Sequence, residues 1–181
     1  MPIFNAQKIT TGDKTAVTFA YNNYRSMIFT NTHATDAVTI DLWVTSQVGT
    51  DVTDTGTNVN NGSGYAVTTS SQAVVVDGTT ATADVFLNEK VYNSSGLLFG
   101  TCTTVHASGT PLTFGGGLTK AMADDDDLYT GTRYLFLNNV KIPNGTSLKL
   151  TPDEFNFDSN NYDMYIDTDS SSGGINIITR Y

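Results

Sequence analysis

Apolar and polar residues alternate with a period of two along two widely separated stretches of this chain. Such alternation marks extended strands that bury one face. In Ala37–Ser46, Val38, Ile40, Leu42 and Val44 fall on one face, and Thr39, Asp41, Trp43 and Thr45 on the other. This predicts a half-buried antiparallel strand. Upstream, Ala16–Tyr21 alternates through Val17, Phe19 and Tyr21, and Arg25–Thr30 sets Met27 and Phe29 on one side. Asn22-Asn23 between them is a turn signal.

The second stretch, Arg133 to Tyr181, is denser. Tyr134, Phe136 and Val140 are expected on one strand face. Ile142-Pro143-Asn144-Gly145 reads as a turn, with Pro at the second position and Gly tolerating positive φ. Leu148 and Leu150 then point inward. Tyr162, Met164 and Ile166 alternate with Asp163, Tyr165 and Asp167. After a turn at Ser170–Gly174, Ile175, Ile177, Thr179 and Tyr181 alternate with Asn176, Ile178 and Arg180. The expected core is Val38, Ile40, Leu42, Val44, Phe136, Leu148, Leu150, Met164, Ile166, Ile175 and Ile177.

The intervening region is rich in Gly, Asn, Thr and Ser and weakly periodic. Gln47–Gln72 reads as a long loop with at most one short hairpin. Short strands are expected at Ala73–Val76, Ala83–Leu87 and Leu97–Val105. Gly115-Gly116-Gly117 suits a flexible segment or a tight backbone approach. Leu118–Ala123 fits one helical turn, and no longer helix is expected. Loops beyond about 15 residues are usually functional or disordered, so partner contacts are expected to order this region.

The fold class is therefore all-β: an antiparallel β-sandwich or jelly-roll-like core built from both chain ends, with a long central insertion. The core is assigned to residues 1–46 and 133–181, and residues 47–132 to an inserted loop-rich arm or subdomain. No fixed-period repeat suggests a solenoid or propeller.

Hydrophobic residues at 39% supply a core and argue against wholesale disorder. Charged residues make up 15%, below the usual quarter, and Thr, Ser, Asn and Gly take their place on the surface. The formal net charge of -9 repels polyanions and argues against direct nucleic-acid binding. Cys102 is the only cysteine, so no intramolecular disulfide is possible. The opening MPIFNAQKITTGDK has neither the basic nor the apolar region of a secretory signal, so synthesis in a cytosol is expected. No apolar run approaches the roughly 18 residues of a membrane span. The glycosylation-like patterns at Asn61, Asn93 and Asn144 then read as ordinary turns.

Asp124, Asp125, Asp126 and Asp127 are the sharpest charge run. They suggest Ca²⁺, because hard cations take several carboxylate oxygens. Contiguous aspartates do not all point inward, however, and the spaced D-x-D-x-D-G loop is missing, so a solvated acidic loop is expected. Asp163, Asp167 and Asp169 are read the same way. His33 and His106 lack partners at metal-ligand spacing. Cys102 and His106 would lie roughly 13 Å apart on a strand rising about 3.3 Å per residue, too far for a nucleophile and base. Cys102 reads instead as a small, partly buried hydrophobe. No nucleophile-elbow, P-loop or dinucleotide fingerprint is present. No catalytic residue, metal or cofactor is expected, and the chain reads as a non-enzyme. Trp43 has three readings: a second intrachain layer, a subunit contact, or a carbohydrate platform.

The late pattern carries a resemblance. NNVKIPNGTSLKL (Asn138–Leu150) is followed by an acidic turn, YDMYIDTD (Tyr162–Asp169) and a final INIITRY (Ile175–Tyr181). Together with SMIFTNTHATDAVTIDLWV (Ser26–Val44), this resembles small β-sandwich structural proteins of tailed bacteriophages, notably marine and cyanobacterial phages. Residues 47–132 have no counterpart in it. The resemblance implies a virion structural role in neck, tail or baseplate, with capsid decoration as the alternative. The implied partners are other virion proteins and symmetry copies of the chain. It supplies no catalytic residues. Trp43, Arg180 and Tyr181 are the interface candidates.

Overall fold

The computed structural model describes residues 3–47, 51–77, 85–104, 110–170 and 174–181. Its strands are numbered in chain order. The first four are β1 (Phe4–Ile9), β2 (Thr15–Val17), β3 (Ser26–Asn31) and β4 (Val38–Ser46). The middle of the chain holds β5 (Val52–Val59), β6 (Gln72–Val74), β7 (Val76–Asp77), β8 (Lys90–Tyr92), β9 (Leu98–Thr101), β10 (Leu112–Phe114) and β11 (Asp127–Gly131). The last four are β12 (Arg133–Ile142), β13 (Ser147–Leu150), β14 (Tyr162–Thr168) and β15 (Ile175–Arg180). No helix occurs among the described residues. The chain divides into two compact units, one made of Met1–Thr45 with Arg133–Tyr181 and the other of Ser46–Thr132.

The first unit contains two four-stranded sheets, ordered β1-β15-β3-β13 and β12-β4-β14-β2. Counting this unit's eight strands alone, the orders become 1-8-3-6 and 5-4-7-2. That is the strand order of a jelly roll, in which two Greek keys face each other across one core. The alternation explains the burial. Val38, Ile40 and Leu42 of β4, Met164 and Ile166 of β14, and Ile175 of β15 have no exposed surface. Val44, Leu150 and Ile177 are also buried, while Phe136 and Leu148 pack half-buried against them. Ile9, Val17, Tyr24, Met27, Phe29, Ile142 and Phe157 complete this core.

Amide side chains join the edge strands β1 and β2 of the two sheets. Asn5 Nδ2 donates to the Thr18 carbonyl (2.7 Å) and Gln7 Nε2 to the Ala16 carbonyl (2.7 Å), while Gln7 Oε1 accepts from the Thr18 N–H (2.9 Å). These bonds cover backbone groups that an open edge would present for pairing.

The second unit has its own core of Val59, Val74, Val85, Val91, Phe99, Cys102, Leu112, Phe114, Leu118, Met122 and Leu128. Its sheets are β7-β5-β11-β8-β9 and the pair β10-β6. The long loop expected over Gln47–Gln72 is thus corrected in part: Val52–Val59 is an eight-residue strand. Threonines occupy its inward positions, which hid it from a hydrophobic pattern. Thr55 and Thr57 are buried, and Thr55 Oγ1 donates to the Leu128 carbonyl (2.7 Å). Branched side chains suit strands, and a bonded hydroxyl can be buried. The helical turn expected at Leu118–Ala123 is absent, because Leu118 and Met122 bridge extended partners, Thr68 and Tyr65. Gly117 has φ 83°, and a Cβ there would collide with the Thr68 carbonyl, so the glycine serves close backbone approach.

The Pro143 turn is displaced by one residue from expectation. The Thr146 N–H donates to the Pro143 carbonyl (3.1 Å), which puts Pro143 first and Gly145, at φ 70°, third. The Asn61, Asn93 and Asn144 patterns all lie in turns. Ala83, Asp84, Val105, His106 and part of Ser170–Gly174 lie outside the described residues.

Leu42 has no exposed surface and sits mid-strand. Leu42→Ala should destabilise the chain by about 2–5 kcal/mol in chemical denaturation, the range for a fully buried leucine. A change within about 0.5 kcal/mol, typical of a surface site, would reject the assigned core.

Candidate functional site

One cleft of the first unit is bounded by β12, a strand with two irregularities. Arg133, Tyr134 and Leu135 pair with Thr45, Val44 and Trp43, but Leu137 then pairs with Leu42 and Val140 with Ile40. Each shift adds a residue to β12, and Asn139 takes φ 53° at the second. Bulges bend a strand and change where side chains point. Tyr134 precedes both shifts and shares the inward face of its partner Val44, as the alternation expects, yet near the start of the strand it is 51% exposed; Leu135, on the face of Trp43, is 41% exposed.

Opposite this strand lies the segment from Thr151 to Phe157. Glu154 Oε2 accepts from the Thr151 N–H (2.7 Å) and hydroxyl (3.0 Å), and the Phe155 N–H donates to the Thr151 carbonyl (2.9 Å). Thr151-Pro-Asp-Glu154 has the spacing of a capping box, a signal that could have located this turn. The buried Tyr24 hydroxyl donates to the Phe155 carbonyl. Burial, reinforced by the Glu154 charge, raises the Tyr24 phenol to about 12. Phe155 stacks on Phe136 with centroids 3.9 Å apart, and Phe157 follows at 5.7 Å. The result is an open cleft of about 410 Å³ lined by Val44, Tyr134, Leu135, Phe136, Phe155, Asn156, Phe157 and Tyr162. It can receive an apolar side chain or the flat face of a ring, with Asn156 and two phenols as polar contacts.

Several of the acidic residues hold backbone. Asp124 Oδ1 accepts from the Asn61 N–H (2.8 Å) and Asp126 Oδ2 from the Ala123 N–H (2.6 Å). Asp125 takes φ 62°, and Asp127 opens β11. Among the described residues, no three His, Cys, Asp or Glu side chains group as a metal site. Asp169 Oδ1 accepts from the Thr39 N–H (2.8 Å), tying the end of β14 to the start of β4. His33 Nδ1 accepts from the Asp36 N–H (3.1 Å) inside a turn. Cys102 is wholly buried, and its thiol donates to the Thr104 carbonyl (3.1 Å).

Trp43 is half-buried, with Lys14 Nζ 5.8 Å from its ring centroid. The lysine thus occupies part of the surface a sugar platform would offer. Arg180 is exposed and lies 5.5 Å from the Phe4 ring, across the β1–β15 pair. Tyr181 is turned inward to its own unit: its hydroxyl accepts from the Ala20 N–H (2.8 Å) and its ring meets Tyr21 edge-on. Among the described residues, no helix is long and apolar enough to cross a membrane. No protein-family model, curated protein or solved structure matches the chain.

Two substitutions test this local chemistry. Tyr24→Phe should remove one late-titrating phenol from the alkaline absorbance titration and cost about 0.5–1.5 kcal/mol, the worth of one hydrogen bond. An unchanged titration would contradict the buried phenol. Burial raises the Asp167 carboxyl above 3.8, with Lys14 opposing and Asp41 adding to the rise. The folded chain therefore binds this proton more tightly than the unfolded chain. Its stabilising contribution is full below 3.8 and is lost as pH rises through the raised value. Thermal melts across this window should show wild type falling relative to Asp167→Asn as pH rises; parallel curves would refute the assignment.

Proposed function

We propose that this chain is a non-enzymatic structural component of a tailed-phage virion, in the neck, tail or baseplate, and that it works through subunit contacts. The supporting observation is where large apolar side chains reach the surface. Tyr134, Leu135 and Tyr162 surround the cleft, and Ile3, Phe4, Tyr21 and Ile178 are also exposed in the same unit. Clustered exposed apolar residues favour burial against another surface. The acidic side chains meanwhile cap turns and tie strands, a structural use. The resemblance of the early and late strands to phage structural proteins supplies the virion setting. Capsid decoration is the nearest alternative within it.

A carbohydrate-binding role has one observation in its favour. The cleft combines aromatic rings with Asn156 and the Tyr162 hydroxyl, the mixture that holds a sugar ring by stacking and hydrogen bonds. Trp43 is the weaker platform because Lys14 lies over it.

Mass spectrometry of separated heads and tails tests the leading reading. The chain should appear in tails or neck-bearing particles at a fixed copy number. Detection on tailless heads would move it to decoration, and absence from all purified particles would end the virion reading. Saturable glycan binding lost in Tyr162→Ala would favour the carbohydrate role.

A further inference from the structure

The turns at Asn61, Asn93 and Asn144 hold their asparagines in different ways. Asn93 Oδ1 accepts from the Ser95 N–H (3.0 Å) and the Leu97 N–H (2.9 Å). Asn61 Nδ2 donates to the Gly64 carbonyl (3.0 Å), and the Asn61 N–H donates to Asp124 Oδ1 (2.8 Å). Both residues are half-buried. Asn144 is exposed, and among the described residues its side chain has no hydrogen-bond partner. Asn61 and Asn144 are each followed by glycine, Gly62 and Gly145, whereas Ser94 follows Asn93.

An Asn-Gly pair can react with itself. The glycine amide nitrogen is close along the chain to the asparagine Cγ, and a following residue without a side chain leaves the approach open. Attack requires the peptide plane between the two residues to turn. The Pro143–Thr146 turn permits this. The Thr146 N–H (3.1 Å) and hydroxyl (2.8 Å) both donate to the Pro143 carbonyl, which holds the ends of the turn. The Gly145 N–H in the middle has no partner among the described residues. Gly145 sits at φ 70°, and glycine takes either sign of φ, so the central plane can flip between turn types while the ends stay bonded. A Cβ on Gly145 would meet nothing within 4 Å, so no neighbour blocks the rotation. Gly62 is equally open, and the difference at Asn61 lies in its bonded amide.

We propose that Asn144 is a site of spontaneous, backbone-assisted deamidation in the folded chain, with water as the co-reactant. The Gly145 nitrogen loses its proton to solvent and attacks the Asn144 Cγ. The new N–Cγ bond closes a succinimide ring, the Cγ–Nδ2 bond breaks, and Nδ2 takes up a proton and leaves as ammonia. Water then opens the ring. Cleavage of the N–Cγ bond gives aspartate on a normal backbone. Cleavage of the bond from nitrogen to the main-chain carbonyl carbon gives isoaspartate, with an added methylene in the main chain. Either product places a carboxylate in Leu128–Pro152, a stretch with no acidic residue. Isoaspartate also lengthens the turn that joins β12 of one sheet to β13 of the other. Asn61 must first break its bond to the Gly64 carbonyl, so the fold protects it.

Ageing of the full chain at neutral and mildly alkaline pH tests this, read by peptide mapping that separates aspartate from isoaspartate. In the folded chain Asn144 should convert about fivefold faster than Asn61, the rate factor of the one hydrogen bond that Asn61 must break. In urea, where neither turn is formed, the two rates should converge. Conversion should quicken as pH rises, because the attacking nitrogen must lose its proton. Asn144→Gln should keep the circular dichroism spectrum and remove the leading acidic band from isoelectric focusing of aged protein. An Asn144 that converts in urea but stays intact in the folded chain overturns the proposal. So do equal rates at Asn61 and Asn144 in the folded chain, or an acidic band that persists unchanged in Asn144→Gln.

Discussion

The jelly roll depends on pairing between segments that are far apart in sequence. In one sheet β15 lies between β1 and β3, so Ile177 pairs with Gln7 on one side and Phe29 on the other. In the other, β4 lies between β12 and β14. Neither sheet can bury its apolar face until residues from both sides of the long insertion have met. The loop-closure entropy must be met before those contacts give any return, which favours slow, cooperative assembly of the first unit. The insertion enters between β4 and β12, adjacent antiparallel strands whose paired residues Thr45 and Arg133 bring its two ends together. Such a junction accepts a large insertion without changing the sandwich topology.

The same geometry shapes the cleft. Tyr134 pairs with Val44 ahead of both added residues, so it lies on the inward face near the start of β12, where it stays half exposed. The first added residue falls at Phe136, the ring on which Phe155 of the Phe155–Phe157 segment stacks. Tyr24 and Glu154 fix that segment from the backbone side. The aromatic surface is therefore assembled from the start of β12 and the Phe155–Phe157 segment.

Polar residues do much of the work that helices or disulfides perform in other folds. Asp169, Asp124, Asp126 and Glu154 each accept backbone N–H groups, while Asn5 and Gln7 join two sheet edges. Charge-assisted bonds of this kind are stronger than neutral ones. This accounts for how a chain with so few charged residues can still spend many of its carboxylates on turns.

Alternation alone determined the sandwich class and most of its core, because a half-buried strand must place apolar residues at every second position. Val38, Ile40, Leu42, Met164, Ile166 and Ile175 were legible for that reason. β5 was not, because Thr55 and Thr57 fill its inward positions, and hydropathy cannot register the bond from the Thr55 hydroxyl to the Leu128 carbonyl. Asp124–Asp127 were visible as a run, but only the folded turn shows which backbone groups they bind. The exposure of Tyr134 and the cleft were also beyond the sequence, since a residue on the inward face stays exposed where no neighbour covers it. Tyr165 makes the same point: it alternates with Met164 and Ile166 as a surface residue would, yet it is only 1% exposed. Local pattern sets which face of a strand is apolar, while register, bulges and the neighbours that cover each face are decided by tertiary contacts.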